Sequence, residues 1–472
     1  MKIVIVGDIT GLHFALSANR RLSNAQITVI LTTDSSSKNY DTALTFPTLC
    51  RDMGIDPLTL PESHIKLGMT YYNWGSPGSQ NIFTGSINLS ERALTRSIYH
   101  DKYTEFNHSG AGLIDHWINL YNQKCFDSDD FIPCMSETYG FAEHDFDPST
   151  AINNEIISDK FGWTVTVDCD AYRKHLTAVA YTRGIDIISP KSVVAAEIES
   201  NQVQAVSCNG VRHQADLYID ATGRRRLIGG ELENQWQPCD ELTTDIALPL
   251  MANASQHNHT GTATLTDQGY ILANSTPQGS DSKLLMSSFL SGESQTFTPG
   301  WYQDCVVANC VMLGHAAGSV DPMDASENNH SNRVIGFLLD RFGQENWQQQ
   351  VNNFSRQLFE DLNLVNQYKL RLAPGNNSQY NQALHSAARE SKLQQQLADD
   401  VHSLERRNSS SYQARAYNLA TLINIVLHYR LPIDLQPLKL NRKVEKLAQN
   451  HFNFIKNRNK IITSIFTDIN NH

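Results

Sequence analysis

The chain has 472 residues, 40% of them hydrophobic and 18% charged, which excludes a disordered chain. Its formal net charge of -11 repels phosphate backbones, so no nucleic-acid partner is expected. The length calls for two or three domains, or for one elaborated α/β domain with a helical annex. Apolar runs never reach the roughly 18 residues of a membrane span, so no membrane association is expected. The eight cysteines include no C-x-x-C pair and fit reduced thiols in a cytoplasmic protein. His257-Asn258-His259 lies in a polar stretch without a second ligand cluster and reads as a loop, not a metal site.

The N-terminal MKIVIVGDITGL gives a β-branched strand over Lys2–Val6, too short for a signal peptide's apolar region. A turn over Gly7–Gly11, a helix over His13–Arg21 and a strand over Ile27–Leu31 follow. This is a βαβ unit, in which free N–H groups and the helix dipole can hold a dinucleotide's pyrophosphate. Measured against G-x-G-x-x-G, only Gly7 keeps its place. Ile9 and Leu12 stand at the other two glycines, Asp8 adds a negative charge, and Thr33 with Asp34 falls near the position of a ribose-binding acid.

FGWTVTVD at 161–168 reads as a strand and 170–184 as a helix. Three β-rich runs punctuated by Asn201 and Asn209-Gly210 then form a meander. The strand ADLYID stops at Ala221-Thr222-Gly223, small residues that let backbone approach a ligand. TTDIALPL, TATL, GYILA and KLLMSSFL, between 243 and 290, suit a second sheet flooring a substrate cavity. A third apolar strand, Cys305–Leu313, runs into Gly314-His315-Ala316-Ala317-Gly318 and a helix over Ser331–Phe342. Beyond about residue 340 the pattern is helical and Gln/Asn-rich. From Lys439 to His472, seven Lys/Arg face only Glu445 and Asp468, and the apolar residues between them suit a docked terminal helix with a solvated face. Trp74, Trp117 and Trp163 read as core.

Five ordered segments carry a family resemblance: FPTLCRDMGI (46–55), IKLGMTYYNWGSPG (65–78), IDATG (219–223), Phe297-Thr298-Pro299-Gly300, and NCVMLGHAAGSVDPMDAS (309–326). The last resembles N-C-V-A-I-G, A-x-G and E-P-L-E-S-T of the flavin-dependent tryptophan halogenases. The resemblance implies an α/β fold, a Rossmann-like FAD-binding domain of the flavin monooxygenase type. It would span 1–340, with a β-rich substrate-side insertion at 232–300 and a mostly helical region at 341–472 packed on it. FAD would lie against Gly7, Thr10, Gly11, Asp220, Gly223, Gly314, Ala317 and Gly318. In that family a separate flavin reductase supplies FADH2, which with oxygen forms a flavin hydroperoxide that oxidises halide to hypohalous acid. A tunnel carries the oxidant to a lysine, here Lys66, beside a small aromatic substrate such as tryptophan. Asp324 falls on the substrate-proximal glutamate, and the halide amides fall on Ser326 and Glu327. A homodimer is what the family suggests.

The departures are specific. Asp324 is one methylene shorter than glutamate, Ala325 replaces serine, and Glu327 stands where a glycine is expected. Tyr270-Ile271-Leu272-Ala273-Asn274-Ser275 replaces W-x-W-x-I-P, the signature that helps keep oxygenation from competing. Two other readings stay open at this point: a flavin monooxygenase without halide use, and a non-catalytic binding protein that retains the fold.

Overall fold

The structure, a computed structural model, describes residues 1–32, 42–74, 80–84, 113–136, 139–144, 163–191, 194–239, 246–250, 260–266, 269–276, 279–286, 299–320, 326–372, 387–403, 419–436 and 442–470. The chain opens with β1 (Lys2–Gly7), α1 (Ile9–Arg21), β2 (Gln26–Leu31), β3 (Thr42–Thr45), α2 (Pro47–Met53), β4 (Ser63–Lys66), β5 (Gly68–Tyr72) and β6 (Gln80–Thr84). Three helices follow, α3 (Leu113–Asn122), α4 (Phe131–Met135) and α5 (Tyr139–His144). Next come β7 (Thr164–Asp168), α6 (Cys169–Thr182), β8 (Asp186–Ile188), β9 (Ala195–Glu199), β10 (Gln202–Cys208), β11 (Val211–His213) and β12 (Leu217–Ala221). Strands β13 (Trp236–Pro238), β14 (Ile246–Leu250), β15 (Thr260–Leu265), β16 (Gly269–Thr276) and β17 (Gly279–Met286) come after these. Then β18 (Gly300–Tyr302), β19 (Val306–Val307), β20 (Cys310–Met312) and β21 (Gly318–Ser319) lead into α7 (Ser326–Arg341), α8 (Trp347–Arg371), α9 (Ala387–His402), α10 (Leu419–His428) and α11 (Arg442–Asn470).

The first sheet has the order β19-β20-β12-β1-β2-β8. In β1, Ile3 to Val6 are all buried, the unbroken apolar run of a parallel strand covered on both faces. Its neighbours β12 and β2 run parallel to it, with Gly7 level with both Ala221 and Leu31, so the carboxyl ends of the three strands coincide. The expected βαβ start, the β9–β11 meander and the α6 helix are all present. The expected single strand over Cys305–Leu313 is instead a β19–β20 hairpin that turns at Ala308 (φ 47°) and Asn309. The left-handed residue is Ala308, and the Asn309 side chain anchors the tip by bonding both ways to the Val203 backbone, at 3.0 and 2.8 Å.

A second six-stranded sheet, β14-β17-β16-β15-β5-β6, joins the expected substrate-side strands to the hairpin after β4. β3-β7-β4 and β13-β18-β21 form two smaller sheets. One apolar core lies around the first sheet and α1, α6 and α7. Another fills the space between the second sheet and α3, α4, α9, α10 and α11. Helix α8 serves both, giving Val351 to Leu362 to the first core and Val365 to Leu370 to the second. Trp74 and Trp117 are fully buried in the second core, and Trp163 is half-buried beside the first. Among the described residues no helix is long and apolar enough to cross a membrane, and no His/Cys/Asp/Glu group could hold a metal. His257-Asn258-His259 lies outside the described residues.

Two core histidines make stability pH-dependent. Burial pushes both His13 and His330 down to about 3, so each stays neutral in the fold and takes a proton only on unfolding. Their stabilisation is complete above the ordinary histidine range near 6.5 and drains away as pH falls toward 3. The slope is about 1.4 kcal/mol per pH unit per histidine. Urea midpoints should therefore hold from pH 8 to 7 and fall steeply from 6 to 4, and the fall should be shallower in the His13→Asn, His330→Gln double variant, the remainder coming from the other buried histidines, His116 and His315.

Candidate flavin and substrate site

The carboxyl ends of β1, β12 and β20 meet three turns. Helix α1 begins at Ile9, so its first amides and positive dipole end face the crevice just beyond Gly7. Gly7 and Gly11 are packing requirements: a Cβ on Gly7 would lie 2.5 Å from the Ala221 carbonyl oxygen, and one on Gly11 3.0 Å from Ile5. Gly314 opens a 3-10 turn after β20 with φ +62°, and a Cβ there would meet Thr10 Oγ1 at 3.2 Å and Ser331 Oγ at 3.5 Å. Thr10, Gly314 and the first turns of α7 therefore converge. Ala317 closes the 3-10 turn, its N–H donating to the Gly314 carbonyl at 3.0 Å, and Gly318 lets β21 press onto Trp301. Gly223, at φ +67°, turns the chain after β12 against the Gly314 turn.

Asp220 has a different task from direct ligand contact. It is fully buried, and Oδ1 accepts from the Thr222 N–H at 3.0 Å and the Thr222 hydroxyl at 2.7 Å. Oδ2 accepts from the N–H groups of Ile228 and Gly229 at 2.9 and 2.7 Å. All of these donors belong to its own loop, so the carboxylate fixes the course of residues 221–229.

Two departures in the first turn have local answers. The Ile9 side chain is half-buried and packs on the first core. The Asp8 carboxylate is gripped by Arg173 of α6, Nε to Oδ1 at 2.5 Å and Nη2 to Oδ2 at 2.7 Å, with both side chains nearly covered. This bidentate pair joins residues 165 apart, a separation at which sequence offers no signal. Arg173→Ala should leave Asp8 unpaired beside the crevice and weaken FAD binding about 10- to 100-fold. Asp8→Asn in the same chain should restore the affinity, as read by flavin fluorescence titration.

A further residue sequence reading passed over is Thr32, at the end of β2. Its N–H donates to the Gly7 carbonyl at 2.9 Å, and its buried hydroxyl has no hydrogen-bond partner among the described residues. Thr33 and Asp34 lie outside those residues. A buried hydroxyl lacking a partner among the described residues, a helix N-terminus, close-packed glycines and the neighbouring Arg224 and Arg226 fit an anionic dinucleotide. His315, beside Gly314, stays neutral, lowered to about 3 by burial and then by the charges of Arg224 and Arg226.

Lys66 lies elsewhere. It ends β4, paired with Thr164 of β7, and is only 7% exposed. Strand β4 also rests on β16, the strand that carries Tyr270 to Ser275. Tyr270 and Leu272, which stand where the two tryptophans are expected, both turn toward the second core. Tyr270 packs edge-on to Trp74 at 5.8 Å, and Trp74 in turn meets Tyr71 at 5.5 Å. Asp324 and Ala325 lie outside the described residues. Ser326 and Glu327 form the first turn of α7, with only their backbone described.

The sequence pattern that defines the tryptophan halogenases, described as "Tryptophan halogenase", matches residues 2–271 and 284–441. The chain belongs to the tryptophan halogenase family. The chemistry of that family is FADH2-dependent halogenation of an aromatic substrate, and membership implies FAD as the cofactor. Solved halogenases share the fold over 98% of this chain. Tar14, a tryptophan C-6 flavin-dependent halogenase from taromycin biosynthesis, is 16% identical, with 97% of its chain covered and a TM-score of 0.77. A tryptophan halogenase from Shewanella frigidimarina is 15% identical, with 95% covered and a TM-score of 0.77. BrvH, a flavin-dependent halogenase from Brevundimonas sp. BAL3, is 16% identical, with 96% covered and a TM-score of 0.72. No curated protein matches the sequence. In this member of the family, the glycines named from the resemblance lie at the turns of the first sheet, and Lys66 lies at the end of β4.

Proposed function

We propose that this chain halogenates a small aromatic substrate such as tryptophan, using FADH2 delivered by a separate flavin reductase. The observation that carries the reading is Lys66, a buried lysine that ends β4, the strand that pairs with β7 and rests on β16, in the segment where the family keeps its lysine. Reduced flavin and oxygen, when bound, supply an oxidised halide of the hypohalous acid type. Lys66 then holds X–OH by a hydrogen bond from its ammonium, which polarises the halogen toward the ring. The ring carbon takes the halogen, the leaving hydroxide takes a proton from the Lys66 ammonium and departs as water, and the ring proton passes to Asp324, from which solvent returns it to Lys66. Aspartate can serve as this base, although its shorter reach slows the step.

The halide itself would rest at the first turn of α7, where the amides of Ser326 and Glu327 and the helix dipole favour an anion. Glu327 competes for that same dipole, so a weak halide site is expected. The test is turnover of tryptophan and other indoles with FAD, NADH and a flavin reductase, in chloride, in bromide and in neither, read by mass spectrometry. Halide-dependent halogenated product, saturating at high halide, is expected. Oxygenated product that is indifferent to halide would overturn the reading.

A further inference from the structure

We propose that Arg226, backed by Arg224, forms a diphosphate-binding site on the loop after β12, supplying positive charge that the β1–α1 turn lacks. The inference rests on the flavin reading above and names which residues of this chain hold the anion.

The need arises at the first turn. Asp8 brings a carboxylate there and Arg173 cancels it, so that corner offers a helix dipole and no net cation. The neighbouring strand end offers the reverse. Asp220 fixes its loop through four bonds, so the direction in which residues 224–226 leave the strand is set by the fold. Gly223 at φ +67° and Arg226 at φ +49° both take the left-handed conformation. For an arginine this costs roughly 1 kcal/mol or more, and such strain persists only where the surroundings hold it. Here the Gly230 N–H holds it, donating to the Arg226 carbonyl at 2.8 Å.

The guanidinium that this backbone presents is already oriented. Its central carbon lies 3.8 Å from the centroid of Trp236 and 5.3 Å from that of Tyr302, on the β13-β18 pair. The group also hydrogen-bonds the Tyr302 hydroxyl, while its Nε is buried and has no hydrogen-bond partner among the described residues. Asp220, the acid whose charge reaches it, has both oxygens engaged by the loop. A partly desolvated guanidinium stacked on aromatics, with no carboxylate partner among the described residues, is costly alone and becomes favourable when a bidentate oxyanion meets its edge. Its loop lies against the Gly314 turn at the carboxyl end of the sheet, where an α/β fold receives its ligand, and its charge reaches His315 of that turn. The chemistry recognised is a diphosphate, whether in FAD or in free ADP.

The experiment titrates the full chain with FAD, ADP and riboflavin by calorimetry, for the native protein, Arg226→Gln, Arg226→Lys and the exposed Arg225→Gln. Arg226→Gln should weaken FAD and ADP together by about 10- to 100-fold, leave riboflavin unchanged and not lower the melting temperature. Arg226→Lys should fall between, since it keeps the charge and loses the fork, and Arg225→Gln should match native. In the native chain, ADP should also shield Arg226 from an arginine-specific dicarbonyl reagent, as read by peptide mass spectrometry, which requires no folded variant. Native-like ADP binding by Arg226→Gln, or no shielding of Arg226, overturns the proposal while the flavin reading stands. A native chain that binds neither FAD nor ADP overturns both.

Discussion

Replacing Lys66 by methionine should lower halogenation about 1,000-fold or more while leaving FAD affinity within about twofold. Methionine approximates the length of the lysine stem and suits a site only 7% exposed, so the chain should still fold. What disappears is the only atom at that position able to donate to, or be halogenated by, the oxidant. Lys66→Arg should not rescue, because a guanidinium stays charged and presents a planar fork where a compact ammonium fits. Single-turnover product yield and flavin titration on the same preparations separate the two effects. Loss of FAD binding alongside activity would mean that Lys66 supports the fold and not the chemistry.

Asp220→Ala should be the most damaging single change in the dinucleotide crevice. It strips the acceptor from the Thr222, Ile228 and Gly229 amides and from the Thr222 hydroxyl, all inside a fully buried site. Unmet buried donors cost about 1 to 3 kcal/mol each, so a total on the order of 4 kcal/mol or more is expected, enough to release the loop or unfold the domain. Asp220→Asn keeps one acceptor oxygen and should retain part of the stability. In both variants FAD binding should fail, although the side chain has no spare lone pair aimed at the ligand. Chemical denaturation gives the stability, and Thr222→Ala, which removes a single hydroxyl partner, should reproduce only a small fraction of the loss.

The sequence made most of the first sheet legible. A short, β-branched apolar run such as Ile3–Val6 that stops at Gly7 reads as a covered parallel strand, and Gly7 and Gly314 mark turns whose close contacts other residues would not allow. The sequence pattern places two helix starts four or five residues late, at His13 and Ser331 instead of Ile9 and Ser326, because Gly11 in the first turn of α1 reads as turn and residues 326–329 of α7 include no apolar side chain. The Ala308–Asn309 reversal was hidden inside an apolar stretch, since both arms of that hairpin are buried. The pairing of Asp8 with Arg173 and the stacking of Arg226 on Trp236 are tertiary facts, set by which helix or strand packs beside which. The three-arginine run itself was in plain view after Ala221-Thr222-Gly223, and only its surroundings give it meaning.

The parallel pairing of β1 with β12 also shapes how the protein is made. Lys2 donates to Asp216 across 214 residues of intervening chain, and β5 likewise waits for β15, with Gly68 beside Thr260. At a synthesis rate of about 5 to 20 residues per second, the first strand spends roughly 10 to 40 seconds outside the ribosome before that partner exists. During that interval an apolar strand with open edges depends on β2 and α1 for cover. Recovery of active enzyme should therefore depend on holdase chaperones and on expression temperature more than on the stability of the finished fold.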